Sequence, residues 1–173
     1  LVAKDVLKLA DDDRAQAPVL SGGFINADIT DVATSLTLSP AGIGNAQYPA
    51  AGYAALGGKE IVSFTRAGDV LTIVRAQLGT TAQSFKAQDR VQLILRYAAQ
   101  DPADIIYDLL VTYAGVDPAY ITLADWKAET AAYLGRVYTA NVCEPTGVNK
   151  LVSELIEQAC LMLWWDDRAQ KIR

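Results

Sequence analysis

Between Val91 and Pro102 the apolar residues change their spacing, and that change constrains the fold more than any single motif. Up to Tyr97 the texture is that of strands. Ser35–Ser39 alternates, while Glu60–Thr65 and Val70–Arg75 are β-branched and aromatic runs. The Gly-containing link Arg66-Ala67-Gly68-Asp69 joins those two runs, so they read as a hairpin. Arg90–Tyr97 places Val91, Leu93 and Leu95 on one face and Gln92, Ile94 and Arg96 on the other. That period of two belongs to a sheet with one wet side. Short strands between long turns, among them the Gly/Pro/Asn-rich loop Ala41–Tyr53, predict a small closed or half-closed barrel.

From Asp101 the spacing is helical. Asp101-Pro102 combines an N-cap acid with proline in the first turn, and Asp104 follows. Ile105, Ile106, Leu109, Leu110 and Tyr113 recur at helical spacing until Gly115. Asp117-Pro118 reads as a turn. Thr122 is the expected cap of a second helix through Trp126 to Leu134, with Asp125 in the capping-box position and Gly135 as the stop. Arg136–Pro145 reads as a strand. A third helix starts near Asn149, with Leu151, Leu155, Ile156 and Ala159 on its apolar side. Leu161–Arg173 closes as a hairpin turning at Asp166–Ala169. The expected class is therefore α+β. Residues 1–98 form a β-rich, barrel-like domain with an N-terminal linker, in which Lys4–Asp13 makes at most a short helical turn. Residues 99–173 form a mixed α/β domain with three helices and a C-terminal hairpin.

Composition narrows the function classes. The chain contains no histidine, which removes the commonest general base, proton shuttle and zinc ligand. A net charge of −5 and a pI near 4.7 oppose generic nucleic-acid binding. The basic residues Lys4, Arg66, Arg75, Lys86, Arg90 and Arg136 are scattered. No apolar run approaches the roughly 18–20 residues of a membrane span, and Leu1–Gln16 turns polar too soon for a secretory signal. The chain starts at Leu1 without Met and stops at Arg173 inside a strand-like run, so a segment of a longer protein is expected. Cys143 and Cys160 are expected as free, buried thiols. Asp11, Asp12 and Asp13 lack the spaced oxygens, glycine and distal glutamate of a calcium loop, and read as a solvated turn.

No catalytic constellation assembles from the remaining motifs. Arg75-Ala-Gln-Leu-Gly79-Thr80 lacks the second glycine, the lysine and the helix of a phosphate loop, and reads as a strand end. Serine and cysteine nucleophiles have no histidine partner. Asp166/Asp167 sits in a turn and Glu154/Glu157 on the wet side of a helix, so neither pair faces a glycosidic bond. No catalytic, cofactor or metal residue is expected, and a wall-cleaving enzyme is disfavoured. Trp164 and Trp165 point to opposite faces of a regular strand, one into the core and one to a partner. With Tyr48 and Tyr53 of the long loop, they are the candidate interface residues.

The stretch Gly57–Leu95 resembles a pattern common in tail-tip and baseplate-hub proteins of long-tailed bacteriophages. There a Gly-Glu-Ile/Val hairpin leads into an Arg-Gly-x-x-Gly-Thr turn, then Ala, His, Gly and a final Val strand. Gly58, Glu60, Ile61, Arg75, Gly79, Thr80, Ala82 and Val91 match, whereas Ala76 stands for the first glycine, Phe85 for the histidine and Gln88 for the later glycine. Pro102–Trp126 and Glu144–Arg173 resemble the hub pattern of two helices, then a helix feeding a tryptophan-bearing hairpin. The resemblance covers most of residues 55–173. It implies a structural virion component at the tail tip, assembled in the host cytoplasm with other tail proteins. It further implies a trimer around the tail axis in the full-length protein and no catalysis. The alternative expectation is a host-receptor or glycan-binding module on the same particle, presenting Tyr48 and Tyr53.

Overall fold

Alternation of apolar and polar side chains drives the first half of the chain into one sheet, as seen in a computed structural model that describes residues 8–173. After β1 (Gln16–Ala17) come β2 (Phe24–Ile25), β3 (Ser35–Ser39), a short helix α1 (Ile43–Gln47) and β4 (Ala51–Leu56). The hairpin β5 (Glu60–Ala67) and β6 (Val70–Gln77) turns at Gly68, whose φ of 60° suits glycine, and β7 (Val91–Leu93) follows. Six strands pair antiparallel in the order β2-β3-β6-β5-β4-β7. The sheet nearly closes into a barrel. Phe24 bridges Arg90, the Ile25 N–H donates to the Asp89 carbonyl, and the Val91 N–H donates to that of Gly23.

The inward positions form one core of Ile25, Leu38, Leu56, Val62, Phe64, Leu71, Ile73 and Val91. Each such aliphatic or aromatic side chain contributes roughly 1.5–3 kcal/mol on burial. The outer face is less wet than the period of two predicts. Gln92 is buried because its side chain accepts from Ser21 N–H at 3.0 Å and donates to the Val19 carbonyl at 3.0 Å. A covering segment has satisfied a polar strand position that alternation alone would leave in water.

The rest of the chain is mixed α/β. It comprises β8 (Leu95–Gln100), α2 (Pro102–Asp108), α3 (Leu123–Glu129), β9 (Tyr138–Val142), β10 (Thr146–Gly147), α4 (Val148–Ala159), β11 (Trp165–Asp166) and β12 (Lys171–Ile172). Both α2 and α3 end in a wider π-helical turn, Leu109–Tyr113 and Thr130–Leu134. The Asp101 carboxylate caps α2 by accepting from Ala103 N–H at 2.8 Å. Thr122 makes no such side-chain bond; the start of α3 is held by backbone bonds to its carbonyl. On α4 the buried side is Val148, Val152, Leu155 and Ala159, with Leu151 and Ile156 only partly covered.

The chain divides into two compact units. Pro18–Leu95 with Val142–Glu144 form one; residues 8–17, Arg96–Asn141 and Pro145–Arg173 form the other. Residues 8–17 thus belong with the helical unit rather than with the barrel. Gln16 pairs with Gly147 and Ala17 with Thr146, while Ala15 and Ala17 are buried. The Lys4–Leu7 part of the expected helical turn lies outside the described residues; Leu9–Asp11 forms a single 3₁₀ turn. Both cysteines are free, but neither is fully buried: Cys143 is half-buried, and Cys160 is exposed because it ends α4 in a left-handed conformation that carries it off the apolar face.

Candidate functional site

Two of the resemblance-bearing residues of the barrel, Glu60 and Arg75, meet at one buried carboxylate. Glu60 opens β5 with no exposed surface. Its Oε1 accepts from Arg75 Nε at 2.8 Å and Ala76 N–H at 2.9 Å, and its Oε2 from Arg75 Nη2 at 2.7 Å and Gln83 N–H at 2.9 Å. Arg75 also donates to the carbonyls of Thr30 at 2.8 Å, Ala33 at 3.4 Å and Gln83. Thr80 completes the clasp: its hydroxyl donates to the Gln77 carbonyl at 2.8 Å and accepts from Ile61 N–H at 3.0 Å. Burial alone would raise the Glu60 pKa. The Arg75 hydrogen bonds, then the amides of Ala76 and Gln83, outweigh it and hold the carboxyl below its ordinary range. All its oxygens are occupied by the protein, so this carboxylate pins a loop and has no lone pair directed at a substrate.

The three departures from the resembled pattern have physical consequences. Ala76 and Gln88 occupy left-handed backbone, with φ of 53° and 73°, where the pattern has glycine. Phe85, at the histidine position, is buried in the core, with the Arg75 guanidinium 5.9 Å from its ring centroid.

The segment Ala41–Tyr53 is no open loop. The Asp69 carboxylate accepts from the N–H groups of Gly42 at 2.6 Å and Gly44 at 2.8 Å. Arg66 donates to Asn45 Oδ1 at 2.5 Å and to the Tyr48 carbonyl at 2.9 Å. Gly44 sits so close to the Gly68 carbonyl that a Cβ there would lie 2.2 Å from it. Tyr48 is therefore a core residue, 3% exposed, its hydroxyl donating to the Val91 carbonyl and its phenol pushed up to about 12 by burial. The expectation of a surface Tyr48 is corrected. Tyr53 is half-buried on β4, opposite Ser63.

In the helical unit, residues from α2, α3, α4 and the C-terminal hairpin enclose an apolar cleft of about 60 Å³. Its wall includes Ile106, Trp126, Ile156, Leu161, Leu163 and Trp164. A wider mouth of about 280 Å³ shares Trp126, Glu129, Trp164 and Arg173 with it and adds Asp125 and Asp166. Trp126 is fixed by donating from Nε1 to the Ile172 carbonyl at 3.3 Å. Trp164 is 52% exposed and Met162 79%. Trp165 does not enter the core as a regular strand would place it. It is half-buried, edge-on to Tyr120 at 5.6 Å, with Nε1 donating to Asp167 at 3.0 Å. The strand is two residues long with no sheet behind it, and Ile172 takes the buried position instead.

The other acidic candidates do not face one another across a cleft. Asp166 accepts from Arg168 and Ala169 N–H at 3.0 Å each, and Glu154 and Glu157 are exposed. Among the described residues no group of three or more His, Cys, Asp or Glu is arranged to hold a metal, and no helix is long and apolar enough to cross a membrane. Trp126, Glu129 and Arg173 were not identified from sequence as neighbours of Trp164. The signal available there was the clustering of all three tryptophans between 126 and 165. The chain matches no protein-family model, no curated protein and no solved structure.

Proposed function

We propose that this chain is a structural component of a long-tailed phage, built into the tail tip or baseplate hub and performing no catalysis. The observation that supports this reading is the use made of the resembled residues. Glu60, Arg75 and Thr80 spend their polar groups on one another and on backbone, which serves rigidity and leaves no reactive atom presented. In this proposal the chain joins other tail proteins and is arranged as a trimer around the tail axis. Exposed apolar groups beside a polar rim, such as Met162 and Trp164, are the kind of surface such attachment uses. The receptor-binding alternative loses its main aromatic with the burial of Tyr48.

Antibody raised against the chain, applied to purified tailed particles from the host that carries its gene, tests the proposal. Labelling of the distal tail end is the expected result. Particles that lack the chain by both labelling and mass spectrometry overturn it.

A further inference from the structure

The cleft of the helical unit has two regions of different chemistry. Its floor is apolar, formed by Ala103, Ile106, Ile156, Leu161 and Leu163, and the one hydroxyl there, on Thr130, is spent on the Asp101 carboxylate at 2.9 Å. Its mouth holds two indoles and three carboxylates, Asp125, Glu129 and Asp166, against a single guanidinium. That guanidinium, Arg173, is engaged by Asp125 at 3.1 Å and lies 3.6 Å from Asp166. Hydrogen bonds from Ala169 and Arg168 N–H, with Arg173 alongside, hold the Asp166 pKa below the ordinary range, so it stays ionised. Glu129 is exposed at the same mouth, and no cation lies within ion-pairing distance of it among the described residues. The mouth therefore carries excess negative charge beside two indole rings, a setting that attracts cations.

We infer that this cleft is a docking site for a partner segment that places an aliphatic side chain next to a lysine or arginine. The aliphatic group fills the floor, where its burial is favourable. The cation sits in the mouth between the indole rings and Glu129, and the exposed Trp164 becomes covered. Tryptophan in a partly apolar pocket is the residue type that most often carries such binding. This assignment is independent of the phage proposal, because it rests only on the cleft's walls and charges.

The test uses three peptides, acetyl-Leu-Lys-Leu-amide and its Gln and Glu counterparts, titrated into the whole chain. The indole N–H signals of Trp126, Trp164 and Trp165 are followed by NMR, with Trp165 as the control outside the cleft. The lysine peptide is expected to move Trp126 and Trp164 at a concentration about two- to fivefold lower than the glutamine peptide, the range of one exposed ion pair. The glutamate peptide is expected to be weakest. Glu129→Gln, a change on an exposed helix position, is expected to narrow the gap between the lysine and glutamine peptides, and an unchanged gap would overturn the inference. Trp164→Ala is expected to lose the shifts at Trp126. No shift with any peptide, equal binding of the lysine and glutamate peptides, or shifts confined to Trp165 would overturn the inference. Self-association of the chain that Trp164→Ala abolishes would place a second copy in the cleft and overturn it equally. Peptide preference is read on the isolated chain and particle labelling on the virion, so either proposal can fail without the other.

Discussion

Removing Arg75 should destabilise the barrel far more than removing a surface ion. In Arg75→Ala, Glu60 keeps the N–H donors of Ala76 and Gln83 but loses two charge-assisted hydrogen bonds, at 2.8 and 2.7 Å, with no solvent to replace them. The carbonyls of Thr30, Ala33 and Gln83 lose their donor as well. Breaking a buried pair by deleting one partner costs about 3–5 kcal/mol, whereas an exposed pair is worth about 1 kcal/mol or less. The side chains here are 11% and 0% exposed, which selects the larger figure. Urea unfolding followed by far-ultraviolet circular dichroism measures the change. Replacing both residues together, Glu60→Met with Arg75→Met, should cost less than Arg75→Ala, because no buried charge is then orphaned. A loss below about 1 kcal/mol for Arg75→Ala would refute the account of Glu60 as a buried, pinned carboxylate.

The depressed pKa of Glu60 gives a pH dependence of known sign. Its stabilisation is complete above the unfolded glutamate pKa, about 4.3, and is lost as pH falls through the lower folded value, so acid unfolding of Glu60→Gln should be shallower in that window. Ala76→Gly and Gln88→Gly should each stabilise by about 0.5–1 kcal/mol, since relief of left-handed strain exceeds the added chain entropy of glycine; a melting temperature that falls would contradict the backbone assignment. Trp165→Ala should cost about 1–2 kcal/mol through its edge contact with Tyr120, while Trp164→Ala should stay within about 0.5 kcal/mol in the isolated chain; thermal melts of the two variants compare them.

What could be read from the sequence was local. The β5–β6 hairpin followed from its β-branched runs and Gly68, and the start of α2 from Asp101-Pro102, because each signal lies within a few residues of its effect. The association of residues 8–17 with the helical unit depends on Gln16 meeting Gly147, a pairing no local pattern announces. Tyr48 looked like a loop aromatic because the grip of Arg66 and Asp69 on its segment is tertiary. The Trp164 cleft was invisible for the same reason: its walls come from α2, α3, α4 and the hairpin, and only Trp164 among them reads from sequence as an interface candidate. The Glu60–Arg75 clasp had a sequence signal in the resembled motif, but alternation gives no reason to bury a glutamate at a strand start.

An electron cryo-microscopy map of the intact particle encoded with this chain decides whether the proposed place in a phage tail is right. Density for the six-stranded barrel unit and the helical unit is expected at the distal end of the tail, repeated three times around its axis. A map in which every tail-tip density is filled by other chains would contradict it.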